Sequence, residues 1–231
     1  MGGKVSRMYR GAIKRVLDLA MVVLVLPIAL PIAFLIGVLL SFNLRLGFRV
    51  LLRQERYGRG KGTFTMYKFR TMLADAPMVS TRQMINERAY DRYTTKLSRF
   101  IRRTSLDELP QLVNVLKGEM SLVGPRPVIL KERGLVDARE GYRANDVRPG
   151  ITGLAQITGQ DYLMPADEKA RIDGEYAANV SFFMDIACII RTVAVVLRGG
   201  SDYKISTGSG LEIRTGAEGF GGRAELATNK P

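Results

Sequence analysis

Residues Leu19–Leu40, LAMVVLVLPIALPIAFLIGVLL, form a run of 22 without a charge, and Pro27 and Pro31 stand in its middle. About 20 apolar residues let a helix cross a hydrocarbon core of about 30 Å. Each proline lacks an amide N–H and clashes with the turn before it, so a straight helix would lose two ladder bonds at mid-depth and a bend is the cheaper outcome. Both flanks are basic: Lys4, Arg7, Arg10, Lys14 and Arg15 precede the run, and Arg45, Arg49, Arg53, Arg56, Arg59 and Lys61 follow it. Because Lys and Arg are held on the cytoplasmic side, the pattern predicts a re-entrant segment that enters the membrane, turns at Pro27 and Pro31 and leaves on the same side. A kinked single span is the alternative. Irregular backbone at membrane depth must be satisfied by neighbouring protein or water, so the re-entrant form requires support from the rest of the chain.

Composition narrows the chemistry. The 231 residues suffice for one domain with a core beside the membrane segment. The chain has no His, which removes the commonest general base and metal ligand and leaves carboxylates, Lys, Arg and hydroxyls. Cys188 is the single cysteine, so no internal disulfide forms and nothing points to an oxidising compartment. The net charge of +13 is uneven: residues 1–70 hold 13 Lys and Arg against Asp18 and Glu55, whereas 71–231 hold 22 against 20 acids. Such basicity beside an apolar run suits membrane lipid with an anionic surface, at roughly 1 kcal/mol per nearby cation. No helix-turn-helix, zinc or RNP-like pattern accompanies it, so no nucleic acid partner is expected. The apolar run is too long for a signal peptide and reads as a retained anchor.

The order of segments predicts an α+β protein, mostly helical and membrane-associated. Its expected parts are a basic lead-in and re-entrant helix over 1–44, a cytoplasmic domain with interfacial helices over 45–198, and a flexible Gly-rich tail over 199–231. Gly58, Gly60 and Gly62 precede the β-branched and aromatic stretch Thr63–Met72, the signature of a short β hairpin. Lys68 and Arg70 share one face of that strand. Residues 73–96 read as loop plus a weak helix, and Asp161–Ala178 as a polar helix. Val180–Leu197 is apolar but broken by Asp185 and Arg191; it reads as a helix in the interface or packed under the anchor, and leaves room for a homodimer.

The most informative polar stretch is SLDELPQLVNVLKGEMSLVGPRP, residues 105–127. Leu106, Leu109, Leu112, Val113 and Leu116 trace a helical apolar stripe, and Gly118 stands at a C-cap. Ser105 and Glu108 have capping-box spacing, while Pro110 favours a start nearer Asp107. Either start places Asp107 and Glu108 in the first turn, just after Arg102 and Arg103. An Asp there should stay ionised, hold Mg²⁺ and be able to attack phosphorus, although first-turn carboxylates also serve the helix dipole alone. Gly124-Pro125-Arg126-Pro127 and Arg148-Pro149-Gly150 are stiff turns that each fix one Arg, as bidentate phosphate recognition requires.

KRVLD before the anchor, QERYG, YKFRTM, the 105–127 stretch and VRPGITGLAQITG occur in the order seen in bacterial sugar transferases. The sequence resembles a small monotopic phosphoglycosyl transferase over roughly residues 14–198. The resemblance implies a polyprenyl-phosphate sugar-1-phosphate transferase on the cytoplasmic face of the bacterial inner membrane. Such an enzyme passes a sugar-1-phosphate from a UDP-sugar to a polyprenol phosphate, usually undecaprenyl phosphate, and releases UMP. It further implies Asp107 as the nucleophile of a covalent phosphosugar intermediate, Glu108 as its dyad partner, Mg²⁺ as cofactor with Asp107 as ligand, and Lys68, Arg102, Arg126 and Arg148 near phosphate. Phosphoryl transfer needs positioning and charge neutralisation more than acid–base chemistry, so a site without His is sufficient. One departure stands out: members often carry Ser-Pro at the re-entrant break, where this chain has Leu30-Pro31 with Pro27 as an additional breaker. The alternative is a non-catalytic membrane scaffold that binds anionic lipid through its basic third.

Overall fold

The structure, a computed structural model, describes residues 9–77, 92–158 and 164–197; the expected tail over 199–231, the start of the lead-in and part of the 73–96 loop lie outside them. A π-helical turn over Tyr9–Ile13 leads into helix α1, Lys14–Asn43. Its 30 residues correspond to about 45 Å of axis, and the helix is continuous through Pro27 and Pro31. Val22, Leu26, Ala29, Ala33, Ile36 and Leu40 recur at alternating spacings of four and three, and this stripe is buried or half-buried. Leu24, Ile28, Phe34 and Phe42, on the other sides, are 68–80% exposed.

The stripe meets the rest of the molecule in two places. Val22 and Leu26 pack with Met66, Val115 and Met120, whereas Ala33, Ile36 and Leu40 pack with Phe69 and Ile101. Both ends of α1 therefore rest on one body. Polar bonds fix them there: Asp18 accepts from Ser121 Oγ at 2.7 Å and from the Leu122 amide at 3.3 Å, and Thr95 Oγ1 donates to Asn43 Oδ1 at the far end. Pro27 and Pro31 are exposed, off the buried stripe.

The predicted hairpin is present. Strand β1, Leu51–Tyr57, pairs antiparallel with β2, Thr63–Phe69, in a register from Leu51 opposite Phe69 to Tyr57 opposite Thr63. Gly60, at φ +65°, makes the connecting turn. Two further strands, β3 (Ser121–Val123) and β4 (Val128–Ile129), follow. The three-stranded sheet has the order β2-β1-β4, while β3 runs parallel to β5, Gly150–Thr152. The remaining helices are α2 (Lys96–Arg103), α3 (Gln111–Lys117), α4 (Arg133–Glu140), α5 (Ala166–Ala178) and α6 (Phe182–Leu197).

The single helix expected from Ser105 or Asp107 to Gly118 is split. Ser105 adopts φ 56° and makes no cap bond, Leu106–Glu108 form one 3₁₀ turn, and α3 begins only after Pro110. A proline without an N–H is tolerated at a helix start and not within a helix, which places the break at Pro110. The predicted cap does hold at the other end, where Gly118 is left-handed at φ 83°. The capping box is made instead by Thr95 and Ser98, at the head of α2. Asn114, wholly buried, ties α3 to β2: its Nδ2 donates to Thr65 O and Glu119 Oε2, and its Oδ1 accepts from the Tyr67 amide.

Asp185 of α6 is 5% exposed and accepts from Tyr9 Oη at 2.7 Å, Lys14 Nζ at 2.6 Å and Tyr176 Oη at 2.7 Å. The charge that interrupts the apolar α6 sequence is thus spent inside the protein, under the start of α1. Phe183, Ile190, Val193 and Leu197 of the same helix stay exposed.

Backbones cross where the two Arg-bearing turns meet. The Gly124 amide donates to Thr152 O at 2.8 Å, and the Gly150 amide to Pro125 O at 3.0 Å. A Cβ at Gly124, Gly150 or Gly153 would fall onto the facing backbone. Gly150→Ala is therefore expected to cost more than about 4 kcal/mol, because rigid main chain cannot yield. Gly11→Ala, with nothing within 4 Å of the new Cβ, is expected to be neutral or better. Urea unfolding of the two variants checks the contrast.

Candidate active site

Asp107 and Glu108 lie in the 3₁₀ turn between α2 and α3, and the left-handed Ser105 makes the sharp entry into it. Asp107 is 8% exposed. Three elements bring cations to it: β2 supplies Lys68, the last turn of α2 supplies Arg102, and the turn after β3 supplies Arg126. Arg126 Nη2 donates to Glu108 Oε1 at 3.1 Å. The structure thus gathers five of the six side chains singled out in the sequence: Lys68, Arg102, Asp107, Glu108 and Arg126.

Arg148 is not among them. Its Nε donates to Gly118 O at 2.9 Å, at the opposite end of α3, and it shares a pocket with Lys14, Asp18 and Arg59. The two stiff turns run side by side through Gly124 and Gly150 while their arginines serve different places.

Burial, and next the adjacent Glu108, push the Asp107 carboxyl up to about 6, against the pull of Arg102, Lys68 and Arg126. Asp107 stays mostly ionised at pH 7, as its first-turn position and neighbouring arginines suggested, but withdrawal from water brings its titration close to neutral. Burial, and next Arg102, push the Lys68 ammonium down to about 8, with Asp107 opposing. Arg56 of β1, which the sequence reading did not assign to the site, is pushed down to about 10 by burial and by Arg126. Its Nη1 donates to Pro127 O at 3.1 Å, and its buried Nε has no partner among the described residues. The QERYG motif carried this residue, but only the β1–β4 pairing puts it beside the Arg126 turn. With Arg56 counted, four cations surround two carboxylates, leaving an excess of positive charge that suits an anionic ligand.

A second buried pair holds the Arg126 turn in place. Arg139 of α4 donates to Asp173 Oδ2 of α5 through Nε at 2.9 Å and Nη2 at 2.6 Å, and Nη2 also reaches Arg126 O at 3.0 Å. Both residues are 5% exposed or less. Neither stood out in the sequence, because a pair 34 residues apart on two polar helices has no local signature.

Among the described residues, no group of three or more His, Cys, Asp or Glu side chains could enclose a metal. Mg²⁺ does not require one, since it keeps several waters and takes one or two carboxylates plus substrate phosphates. The adjacent Asp107 and Glu108 fit that requirement.

A buried carboxylate with cations on three sides, on an α+β body that carries a long apolar helix, suits a phosphorylated ligand. The chain belongs to the bacterial sugar transferase family, whose model matches residues 9–199. It is 37% identical over 186 residues to the uncharacterised sugar transferase EpsL of Bacillus subtilis, covering 80% of this chain and 85% of that one. It is 35% identical over 210 residues to the UDP-glucose:undecaprenyl-phosphate glucose-1-phosphate transferase of Caulobacter vibrioides, covering 87% and 76%. The undecaprenyl-phosphate galactose phosphotransferase of Salmonella typhimurium is 40% identical over 162 residues, 64% of this chain but only 33% of that protein. The chain thus spans about a third of the length of that longer relative.

Arg139→Leu leaves Asp173 charged and buried, and is expected to cost about 3–5 kcal/mol. Arg139→Leu combined with Asp173→Leu is expected to recover most of that loss, as measured by urea denaturation.

Proposed function

We propose that this protein transfers a sugar-1-phosphate from a UDP-sugar to a polyprenol phosphate, undecaprenyl phosphate being the acceptor in the relatives' names, and that it releases UMP. The observation that carries the reading is the buried Asp107 carboxylate within the ring of Lys68, Arg102 and Arg126. An oxygen of Asp107 attacks the phosphorus next to the sugar and forms an Asp107–phosphosugar bond. The bond from that phosphorus to the bridging oxygen breaks, and UMP leaves with the electron pair. A phosphate oxygen of the polyprenol phosphate then attacks the same phosphorus, forming a polyprenyl diphosphate sugar and freeing Asp107.

The two positive charges in excess around the site balance a diphosphate diester. Arg126, half-exposed and bonded to Glu108, is placed to hold a phosphate oxygen while aligning that carboxylate. Asp107 and Glu108 would hold Mg²⁺, which when bound adds neutralisation of the diphosphate. Lys68, Arg102 and Arg56 stabilise the charge on the transferring phosphoryl group by fixed position, which is the larger part of such catalysis.

We also propose that α1 is re-entrant and that the body lies on the cytoplasmic face of the inner membrane. What supports this is that Val22 and Ile36, about 21 Å apart along the axis of a straight helix, pack on the same body. A span running away from the body would lose one of those contacts, whereas a segment that turns at Pro27 and Pro31 would keep both and give its exposed Leu24, Ile28, Phe34 and Phe42 to lipid.

Three outcomes are expected. Asp107→Asn lowers UMP release by at least about 10³-fold, the scale on which loss of a nucleophile registers; full activity in this variant would overturn the mechanism. With UDP-sugar limiting, the rate falls below about pH 6, where Asp107 takes up a proton, and above about pH 8, where Lys68 loses its charge. In inside-out vesicles, single cysteines at the exposed positions Ala12 and Arg49 in a Cys188→Ala background react equally with an impermeant maleimide, whereas protection of only one indicates a span.

A further inference from the structure

Three guanidinium groups outside the Asp107 site converge at the C-terminal end of α3. Arg15 donates through Nη1 to Val115 O and through Nη2 to Leu116 O at 3.0 Å. Arg148 Nε donates to Gly118 O at 2.9 Å, and Arg59 Nε to Asp146 O at 2.9 Å. Every one of these acceptors is a backbone carbonyl. Among the described residues none of the three arginines has a carboxylate within ion-pair distance. The carboxylates near them are already engaged: Asp18 by Ser121 and the Leu122 amide, Asp146 by Arg143 at 2.8 Å. Lys14 is committed to Asp185. Arg59 and Arg148 line one pocket with Lys14, Asp18 and Tyr176, and the Arg15 guanidinium lies against Gly118, whose carbonyl Arg148 holds.

Three like charges held together by neutral acceptors repel one another, and the Arg148 guanidinium is held below its ordinary range by burial and next by Arg59 and Arg15. An anion between them removes that cost, and a phosphoryl oxygen set matches the free edges of Arg59 and Arg148. The depth of the pocket selects the source of the anion. Lys14, Arg15 and Asp18 occupy the first turns of α1, directly before the uncharged run begins at Leu19, and Ile13 and Val16 beside them are 39% and 62% exposed. The site from Asp107 lies at the other end of α3, whose seven residues span about 10 Å.

We propose that Arg15, Arg59 and Arg148 form a second anion site, which holds the phosphoryl head group of a membrane amphiphile with its chain against Ile13 and Val16. It rests on the interfacial placement of α1 proposed above, and not on the transfer reaction.

The detergent-purified full chain is titrated calorimetrically with geranylgeranyl phosphate, dihexanoyl phosphatidylglycerol, inorganic phosphate and geranylgeraniol. Binding of at least one of the two phosphorylated amphiphiles is expected, and to be at least tenfold weaker in both Arg59→Gln and Arg148→Gln; Arg133→Gln, on the exposed side of α4, is expected to stay within twofold of the wild type. Arg59 is exposed, so its variant remains informative if Arg148→Gln fails to fold. A tighter fit for the monoester assigns the site to the polyprenyl acceptor, and a tighter fit for phosphatidylglycerol to bulk anionic lipid; either supports the proposal. Unchanged affinity in Arg59→Gln, an equal loss in Arg133→Gln, equal binding of geranylgeraniol, or inorganic phosphate binding as tightly as the amphiphiles overturns it. UMP release, assayed separately, shows whether the transfer reading fails on its own.

Discussion

The Asp185 carboxylate is the constraint on which much of the arrangement depends. A carboxylate withdrawn from water is tolerable only when its lone pairs are filled. Here Lys14, Tyr9 and Tyr176 fill them, coming from the lead-in and from α5. Burial and Asp185 hold both phenols well above their usual range, so they stay donors. One acid on α6 thereby joins the entrance of α1, α5 and α6, and with Asp18 on Ser121 it fixes the start of the apolar helix on the body.

The two ends of α3 organise the charge. Its N-terminal side carries the buried carboxylate and its cations, and its C-terminal side carries arginines bonded to carbonyls. The interleaved Gly124, Gly150 and Gly153 backbones lock the turns that deliver Arg126 and Arg148 to these separate places. Arg139 and Asp173 then keep the Arg126 turn from relaxing toward solvent. The body thus holds two groups of cations at opposite ends of α3.

Much of this was legible from local signals. The hairpin followed from glycines before a β-branched run, the C-cap from Gly118, and the anchor from an uncharged stretch between basic flanks. Asp107, Glu108, Lys68, Arg102 and Arg126 each sit in a distinctive motif, and the fold brings them together. The split at Pro110, the capping box at Thr95 and the upward shift of Asp107 were not found. The first two turn on which of several acceptable starts packs best, and the third on how much water the folded body removes.

The sequence by itself determined the class of protein, the membrane anchor and the types of side chain available for chemistry, because periodicity, charge placement and motif order are local properties of the chain. Only the tertiary structure decided that Arg148 stands apart from Arg126, that Arg56 joins the carboxylate site, and that Asp185 meets Lys14. These relations link residues far apart in sequence, and they are set by strand pairing, close backbone crossing and the need to satisfy buried charge, none of which leaves a local trace.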